Sequence, residues 1–429
     1  MNSPRVGFHT LGCRLNIFES DGLSNALSQE GIKTIPIDEN PEIIIVNTCT
    51  VTNKADSKNR NIIRTAIKNN PGSQIWVTGC YAETDKSVIE KIPGITGVIG
   101  NQEKSNLPNL ILQSLNLPNN NPKPYDRFSY SDVVPVNHTR AYLKIQDGCN
   151  RVCSYCKIPS ARGKGVSRTK QDILNQVKFL QDNGIGEIIL TGVNLGWYRN
   201  ESGEKSFNSL LENILNVLEY SRLRLSSIEP SDVNKGLSTL LSHPRFCKYL
   251  HVPLQSGNSE ILRKMKRSYT AETFRKRIEL VIQDHPDIFI GTDIIAGFPG
   301  ETIEHFQDSL KLVNELGISK IHSFPFSIRK GTLAETYPET VSKEEKKERV
   351  KELNDLSSKM LYQYFQKNVG LTLEGIVESD FKVLTDNYLK LNLLSVEDSK
   401  KLKVGQFISI TPTRIEKSQN DFSMFGRLG

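Results

Sequence analysis

Gly148-Cys149-Asn150-Arg151-Val152-Cys153-Ser154-Tyr155-Cys156 sets three thiols in one short loop, spaced C-x3-C-x2-C, behind the apolar run 141–146. Three thiolates so placed can hold three irons of a [4Fe–4S] cubane and leave the fourth iron open to another ligand. A structural zinc loop is the alternative, but a closed zinc site takes four ligands and no fourth cysteine lies nearby. His138 is the one neighbouring candidate, and Pro135 and the strand-like run after it keep it apart. An open trio suits iron–sulfur chemistry better than zinc.

Outward from that loop, residues 137–365 alternate short apolar runs with amphipathic stretches. Strands are expected at 141–146, 187–191, 222–227, 249–252, 289–295 and 320–324. Helices are expected at 171–183, 207–219, 259–266, 271–284 and 302–316. About six β/α units of this kind make an open or partial barrel with its chemistry on the loops after the strands. The cysteine loop follows the first of these strands. Thr191-Gly192-Val193-Asn194, Ser227-Ile228-Glu229-Pro230, Pro253–Gly257 and Gly297–Glu301 occupy the same kind of position and form a candidate cofactor and substrate rim.

Towards the N-terminus one pattern occurs three times. The runs 6–10, 42–47 and 74–78 are apolar and β-branched; each leads into a cysteine (Cys13, Cys49, Cys80) and then a helical stretch at 18–29, 55–69 or 84–91. This β-α repetition implies an open parallel sheet. Residues beyond the carboxyl ends of its strands share one edge, so three cysteines distant in sequence converge. Buried structural cysteines are the alternative for each singly, but the same placement three times in a row favours a second cluster with an open iron. Cys247 has no such companion and reads as a core residue.

A charged helix at 342–368 leaves the central unit, and runs 371–377, 388–394 and 407–411 in the tail suit a small β-barrel. The division expected is 1–120, a linker at 121–136, 137–365, and 366–429: an α/β chain with an open sheet, a partial barrel and a small β-barrel.

The 429 residues are 37% hydrophobic and 24% charged, with no apolar run near the ~18 residues that span a bilayer. The start, MNSPRVGFHTLGC, lacks an apolar secretion core, so a cytoplasmic location is expected, where clustered cysteines are metal ligands and not disulfides. The net charge of +7 is uneven. Between His138 and Lys170 eight Lys/Arg face one acid, Asp147, and Lys54, Lys58, Arg60, Arg64 and Lys68 form a second group opposed only by Asp56. Arg60, Arg64 and Lys68 fall on one helix face. Two basic runs beside the cysteines point to a polyanion such as RNA. The tail from Gln366 is near neutral, with nine Lys/Arg against eight Asp/Glu.

Over almost its whole length the chain resembles the radical S-adenosylmethionine methylthiotransferases. The resemblance is carried by Thr10–Cys13, Val46–Asp56, Val77–Cys80, Lys144–Cys156, His251–Gly257 and Gly297–Glu301. Asn47–Asp56, Gln146–Asn150 and Leu225–Pro230 are most similar to the tRNA threonylcarbamoyladenosine branch, which places a methylthio group on carbon 2 of the modified adenosine beside the anticodon. The resemblance implies a radical-generating cluster on Cys149, Cys153 and Cys156, and an auxiliary sulfur-bearing cluster on Cys13, Cys49 and Cys80. It implies S-adenosylmethionine with Tyr155 packed near its adenine, and a TRAM-like tail; Thr191, Gly192, Asn194, Ser226, Glu229 and Gln255, at or after strand ends, are the further cofactor contacts expected from their position. Its expected partners are the tRNA anticodon arm and an electron donor such as flavodoxin or ferredoxin, with no membrane. Lys157 stands where the family usually has an apolar residue, and the near-neutral tail is less basic than an RNA-gripping barrel. Methylthiolation of a ribosomal-protein aspartate, a different radical reaction on RNA, and a non-catalytic metal-bearing RNA binder remain as alternatives.

Overall fold

Strand β3 (Ile43–Thr48) is buried along its whole length, and its run Ile43–Val46 is apolar throughout, as in a parallel sheet covered on both faces. The computed structural model, which describes residues 3–119, 126–130, 133–135, 139–378, 382–395, 402–417 and 422–429, surrounds it with β1 (Arg5–Thr10), β2 (Lys33–Thr34), β4 (Gln74–Gly79) and β5 (Gly97–Ile99). Their order is β2-β1-β3-β4-β5, all parallel. Helices α1 (Arg14–Gln29) and α2 (Asn53–Asn69) connect them. α2 starts where Thr52 accepts a hydrogen bond from the Ala55 N–H, the usual N-cap arrangement. The single helix expected at 84–91 is instead two short pieces, Cys80–Thr84 and Lys86–Ile89. The Thr84 hydroxyl bonds both the Cys80 carbonyl and Asp85, a local side-chain alternative to continuing the helix.

The central unit is a six-strand partial barrel of β6 (Ala141–Lys144), β9 (Glu187–Thr191), β10 (Arg222–Leu225), β11 (Tyr249–His251), β12 (Phe289–Ala296) and β13 (Lys320–Pro325). Two parallel sheets, β10-β9-β6 and β11-β12-β13, meet through the parallel bridge Leu223–Phe246. The first strand ends earlier than expected. Gln146 and Asp147 form β7 (Gln146–Asp147) and pair antiparallel with β8 (Val166–Ser167), which closes the cysteine loop at its base. Helix α1 lies against β6, so the N-terminal unit covers part of the barrel's open side.

Helix Lys343–Asn368 opens with a capping box between Ser342 and Glu345 and packs on β13. Beyond it, β14 (Leu373–Val377), β15 (Lys382–Thr385), β16 (Lys390–Leu393), β17 (Phe407–Lys417) and β18 (Phe422–Leu428) form a closed barrel. β15 and β18 were not expected: their short, partly polar stretches carry a weak periodic signal. The tail docks through charge. Buried Glu187 accepts from Arg222 (2.7 Å) and Arg224 (2.8 Å), which in turn donate to the Leu384 and Thr385 carbonyls. Cys247, buried as a core residue, sits 3.8 Å from the same carboxylate. Among the described residues no helix is long and apolar enough to cross a membrane.

Candidate iron–sulfur and substrate site

Gly148 opens the cysteine loop at φ +71, where a side chain would run into the Lys164 carbonyl. From there the backbone folds back on itself. The Cys149 N–H donates to the Gly163 carbonyl (3.0 Å) and the Cys156 N–H to the Cys153 carbonyl (3.1 Å). Each sulfur has a donor: the Arg151 N–H points to Cys149 Sγ (3.4 Å), the Ile158 N–H to Cys156 Sγ (3.5 Å), and Arg267 Nη1 to Cys153 Sγ (3.4 Å). Such donors stabilise negative sulfur, which suits thiolates on a cluster. Burial pushes the Cys156 thiol up to about 12, so holding it as a thiolate would call for a cation beside it.

Beyond the strand ends of the parallel sheet, Cys13 follows β1, Cys49 follows β3 and Cys80 follows β4. Gly12, at φ +96, lies so close to Cys49 that a Cβ there would sit 2.8 Å from its sulfur. Asn101 Nδ2 reaches Cys80 Sγ at 3.5 Å. Burial raises the Cys49 thiol to about 12, and Cys13 and Cys80 lie within electrostatic range of it. All seven cysteines are free. Among the described residues no three His, Cys, Asp or Glu side chains surround a single-ion position. His138, the candidate fourth zinc ligand, and half of 121–136 lie outside the described residues.

Beneath the second trio is a buried charge knot. Glu19 of α1 accepts from Lys104 (2.5 Å), Lys144 (2.8 Å) and Arg162 (2.9 Å), while Asp147 takes Lys144 (2.7 Å) and Arg162 (3.0 Å). Burial alone would raise the Glu19 carboxyl, but Arg162, Lys104 and Lys144 outweigh it and hold it well below the usual range. Three cations face two carboxylates, and Arg162 is also within electrostatic range of Cys80 and Cys13. The surplus positive charge therefore sits where anionic sulfur would be.

A second clasp joins the two units: Arg329 pairs with Asp56 (2.9 Å) and donates to the Thr50 carbonyl (2.8 Å). Lys157 makes a third, bonding Asp85 at 3.0 Å. A lysine at that position therefore serves the contact between cysteine loop and N-terminal unit.

Between these two units and the C-terminal barrel opens a cavity of about 890 Å³. Thr191, Gly192 and Ser226 of the expected cofactor set line it together with Cys13. The others stand elsewhere on the rim. Glu229 is clamped by Arg267 (2.5 Å), Gln255 takes a left-handed turn (φ +68) after β11, and Tyr155 meets Phe298 edge-on at 6.3 Å. Asn194 is buried with its Oδ1 unpartnered among the described residues, an acceptor left open. Sequence reasoning missed Arg267 and Arg151, which bracket Glu229 beside the cysteine loop. It also missed the cavity's His251, Asp293, Lys320 and His322. Their signal was available: charged and polar residues at alternate positions of barrel strands, where an inert interior would be apolar.

The basic run at 138–170 needs correction. Arg140 pairs with Glu187 and Glu378, Lys144 and Arg162 with Glu19 and Asp147, Arg151 with Glu229, Lys157 with Asp85, and Arg168 with Asp172. Six of the eight cations are thus engaged by carboxylates, several from remote segments, and are not free for a polyanion. On α2, Arg60 is half-buried, donating to the Tyr81 hydroxyl (2.7 Å), whereas Lys54, Lys58, Arg64 and Lys68 are exposed.

Residues 143–313 match the radical SAM superfamily, and residues 5–100 match a family described as uncharacterized protein family UPF0004. The threonylcarbamoyladenosine tRNA methylthiotransferase MtaB of Bacillus subtilis (strain 168) is 34% identical over 96% of this chain and 98% of its own. That of Aquifex aeolicus (strain VF5) is 33% identical over 93% and 98%. A tRNA-2-methylthio-N(6)-dimethylallyladenosine synthase of Corynebacterium diphtheriae is 33% identical over 88% of this chain and 77% of its own. Among solved structures, the radical S-adenosylmethionine methyltransferase TsrM from Kitasatospora setae superposes with a TM-score of 0.54 at 16% identity, covering 76% of this chain and 75% of that one. That likeness is one of fold.

Proposed function

Because the chain belongs to the radical S-adenosylmethionine tRNA methylthiotransferases, we propose that it adds a methylthio group to carbon 2 of N6-threonylcarbamoyladenosine beside the anticodon of tRNA. The observation that carries this reading is one cavity shared by Cys13 and by Thr191, Gly192 and Ser226 at the carboxyl ends of β9 and β10. Cys149, Cys153 and Cys156 would hold the radical-generating cluster, and Cys13, Cys49 and Cys80 the auxiliary one. Bound there, S-adenosylmethionine and the two clusters supply one-electron chemistry that activates an unreactive C–H bond, together with the sulfur to be transferred.

The chain's own residues position and shield. Arg267 holds Glu229 in place while donating to Cys153, and the open Asn194 amide oxygen is available to a cofactor donor. Tyr249, Phe289 and Tyr388 give the cavity aromatic walls for a base that has left its stack, which is easiest from a single-stranded anticodon loop. The work divides among units 1–120, 137–365 and 366–429, with an electron donor such as flavodoxin or ferredoxin serving the central one in the cytoplasm. Nucleoside mass spectrometry of total tRNA with and without the gene tests the reading: the methylthio form of threonylcarbamoyladenosine should vanish and the unthiolated form accumulate.

The exposed cations of α2 are the candidate phosphate contacts. Reversing Arg64 and Lys68 to Glu is expected to weaken tRNA binding and to lower the slope of log affinity against log salt by roughly two units, about one per lost phosphate contact. Filter binding across a salt series reads this. An unchanged slope would place the anticodon arm elsewhere.

A further inference from the structure

Successive residues of a strand point to opposite faces, so Lys320, His322 and Phe324 of β13 share one face. All three line the cavity, with His251 of β11 and Asp293 of β12. Arg14, the first residue of α1, enters from the opposite wall and lies against the Tyr249 hydroxyl. The charges in this space do not cancel. Asp293 is its carboxylate, and that group is bonded to His251 at 3.0 Å. Among the described residues, Lys320 and Arg14 form no ion pair with any Asp or Glu. Lys390 of β16 adds a third cation at the rim. Burial first, then His251, Lys320 and Arg14, push the His322 imidazole below its ordinary value against the opposing pull of Asp293, so Lys320 and Arg14 both lie within electrostatic range of it.

We propose that Lys320, together with Arg14, binds a carboxylate carried on the N6 substituent of the substrate adenine. The proposal rests on the function stated above and deepens it. A threonylcarbamoyl group ends in a carboxylate; a dimethylallyl group, the substituent in the name of the Corynebacterium relative's product, has none. Two cations without carboxylate partners make a poor pocket for the apolar group and a suitable one for the acid, because hydrogen bonds between ionised partners are the strong ones. The cavity would thereby select the modified base as well as admit it.

The test uses the full-length, cluster-loaded protein and anticodon stem-loop RNAs. One RNA carries threonylcarbamoyladenosine as the free acid and the other carries it as the neutral methyl amide. Wild-type protein should bind the acid roughly 10- to 100-fold more tightly than the amide. Lys320→Gln should reduce that preference to a few-fold, Lys320→Arg should restore most of it, and Arg14→Gln, read as the same ratio, should lower it. Equal wild-type binding of both RNAs, or full preference retained in Lys320→Gln, overturns the proposal. So does a Lys320→Gln protein that loses affinity for S-adenosylmethionine but keeps the acid-over-amide ratio, since the cations would then serve the cofactor's carboxylate. If neither RNA gains a methylthio group on wild-type protein while the acid is still preferred, the functional reading fails and carboxylate binding stands.

Discussion

Alanine at Cys149, Cys153 and Cys156 together is expected to halve the iron and sulfide of the anaerobic protein and to abolish cleavage of S-adenosylmethionine. The complementary triple replacement of Cys13, Cys49 and Cys80 should also halve the iron but leave cleavage to 5′-deoxyadenosine in place, while the methylthio product disappears. The contrast follows from separate settings: one trio lies in a loop after β6 and the other at the ends of β1, β3 and β4. Iron and sulfide assays, with chromatography of the cleavage products, read both halves. Unchanged iron in the first variant, or lost cleavage in the second with the radical cluster still loaded, would refute the division of labour.

The second large effect concerns stability. Glu19→Gln leaves Lys104, Lys144 and Arg162 buried against Asp147 as the remaining carboxylate of the knot. Breaking a buried pair on one side costs about 3–5 kcal/mol, because the surviving charges stay out of water. That is a large part of the ~5–15 kcal/mol that holds an ordinary domain. Denaturant unfolding should show it directly. Adding Lys104→Met to Glu19→Gln should cost less than the sum of the two single changes, since the neighbours share one network. The pH dependence has a definite sign. The folded carboxyl of Glu19 is depressed below its unfolded value, so its contribution is complete at neutral pH. It should fade as pH drops below about 4.3, the ordinary value of a free glutamate. A Glu19→Gln loss under ~1 kcal/mol would mean the knot is replaced by solvent or by Asp147 alone.

The placement of the cysteines in the fold was legible because its signal is local: three within one loop, and three at equivalent strand ends. The barrel strands were legible for the same reason, since a buried parallel strand writes itself as a short apolar run. What escaped depends on distant partners. Lys144 and Arg162 look like free surface charge in sequence, yet they meet Glu19 from 125 and 143 residues away. Arg267 reaches Cys153 across 114 residues. Counting like charges within a window therefore overstated the RNA-facing surface. Lys157 is the reverse case, a departure from the family pattern that Asp85 explains once the fold is known.

The knot also sets an order of events during synthesis. Glu19 leaves the ribosome 143 residues ahead of Arg162, which at roughly 5–20 residues per second is a delay on the order of ten seconds. The N-terminal sheet can gather its own apolar core in that time, through Ile44, Val46, Ile63 and Val77. Helix α1 can meanwhile pair Glu19 with Lys104 of its own unit, but two of that carboxylate's three cations, Lys144 and Arg162, have yet to be made. The charge knot beneath Cys13 is therefore completed only when Lys144 and Arg162 arrive with the central barrel.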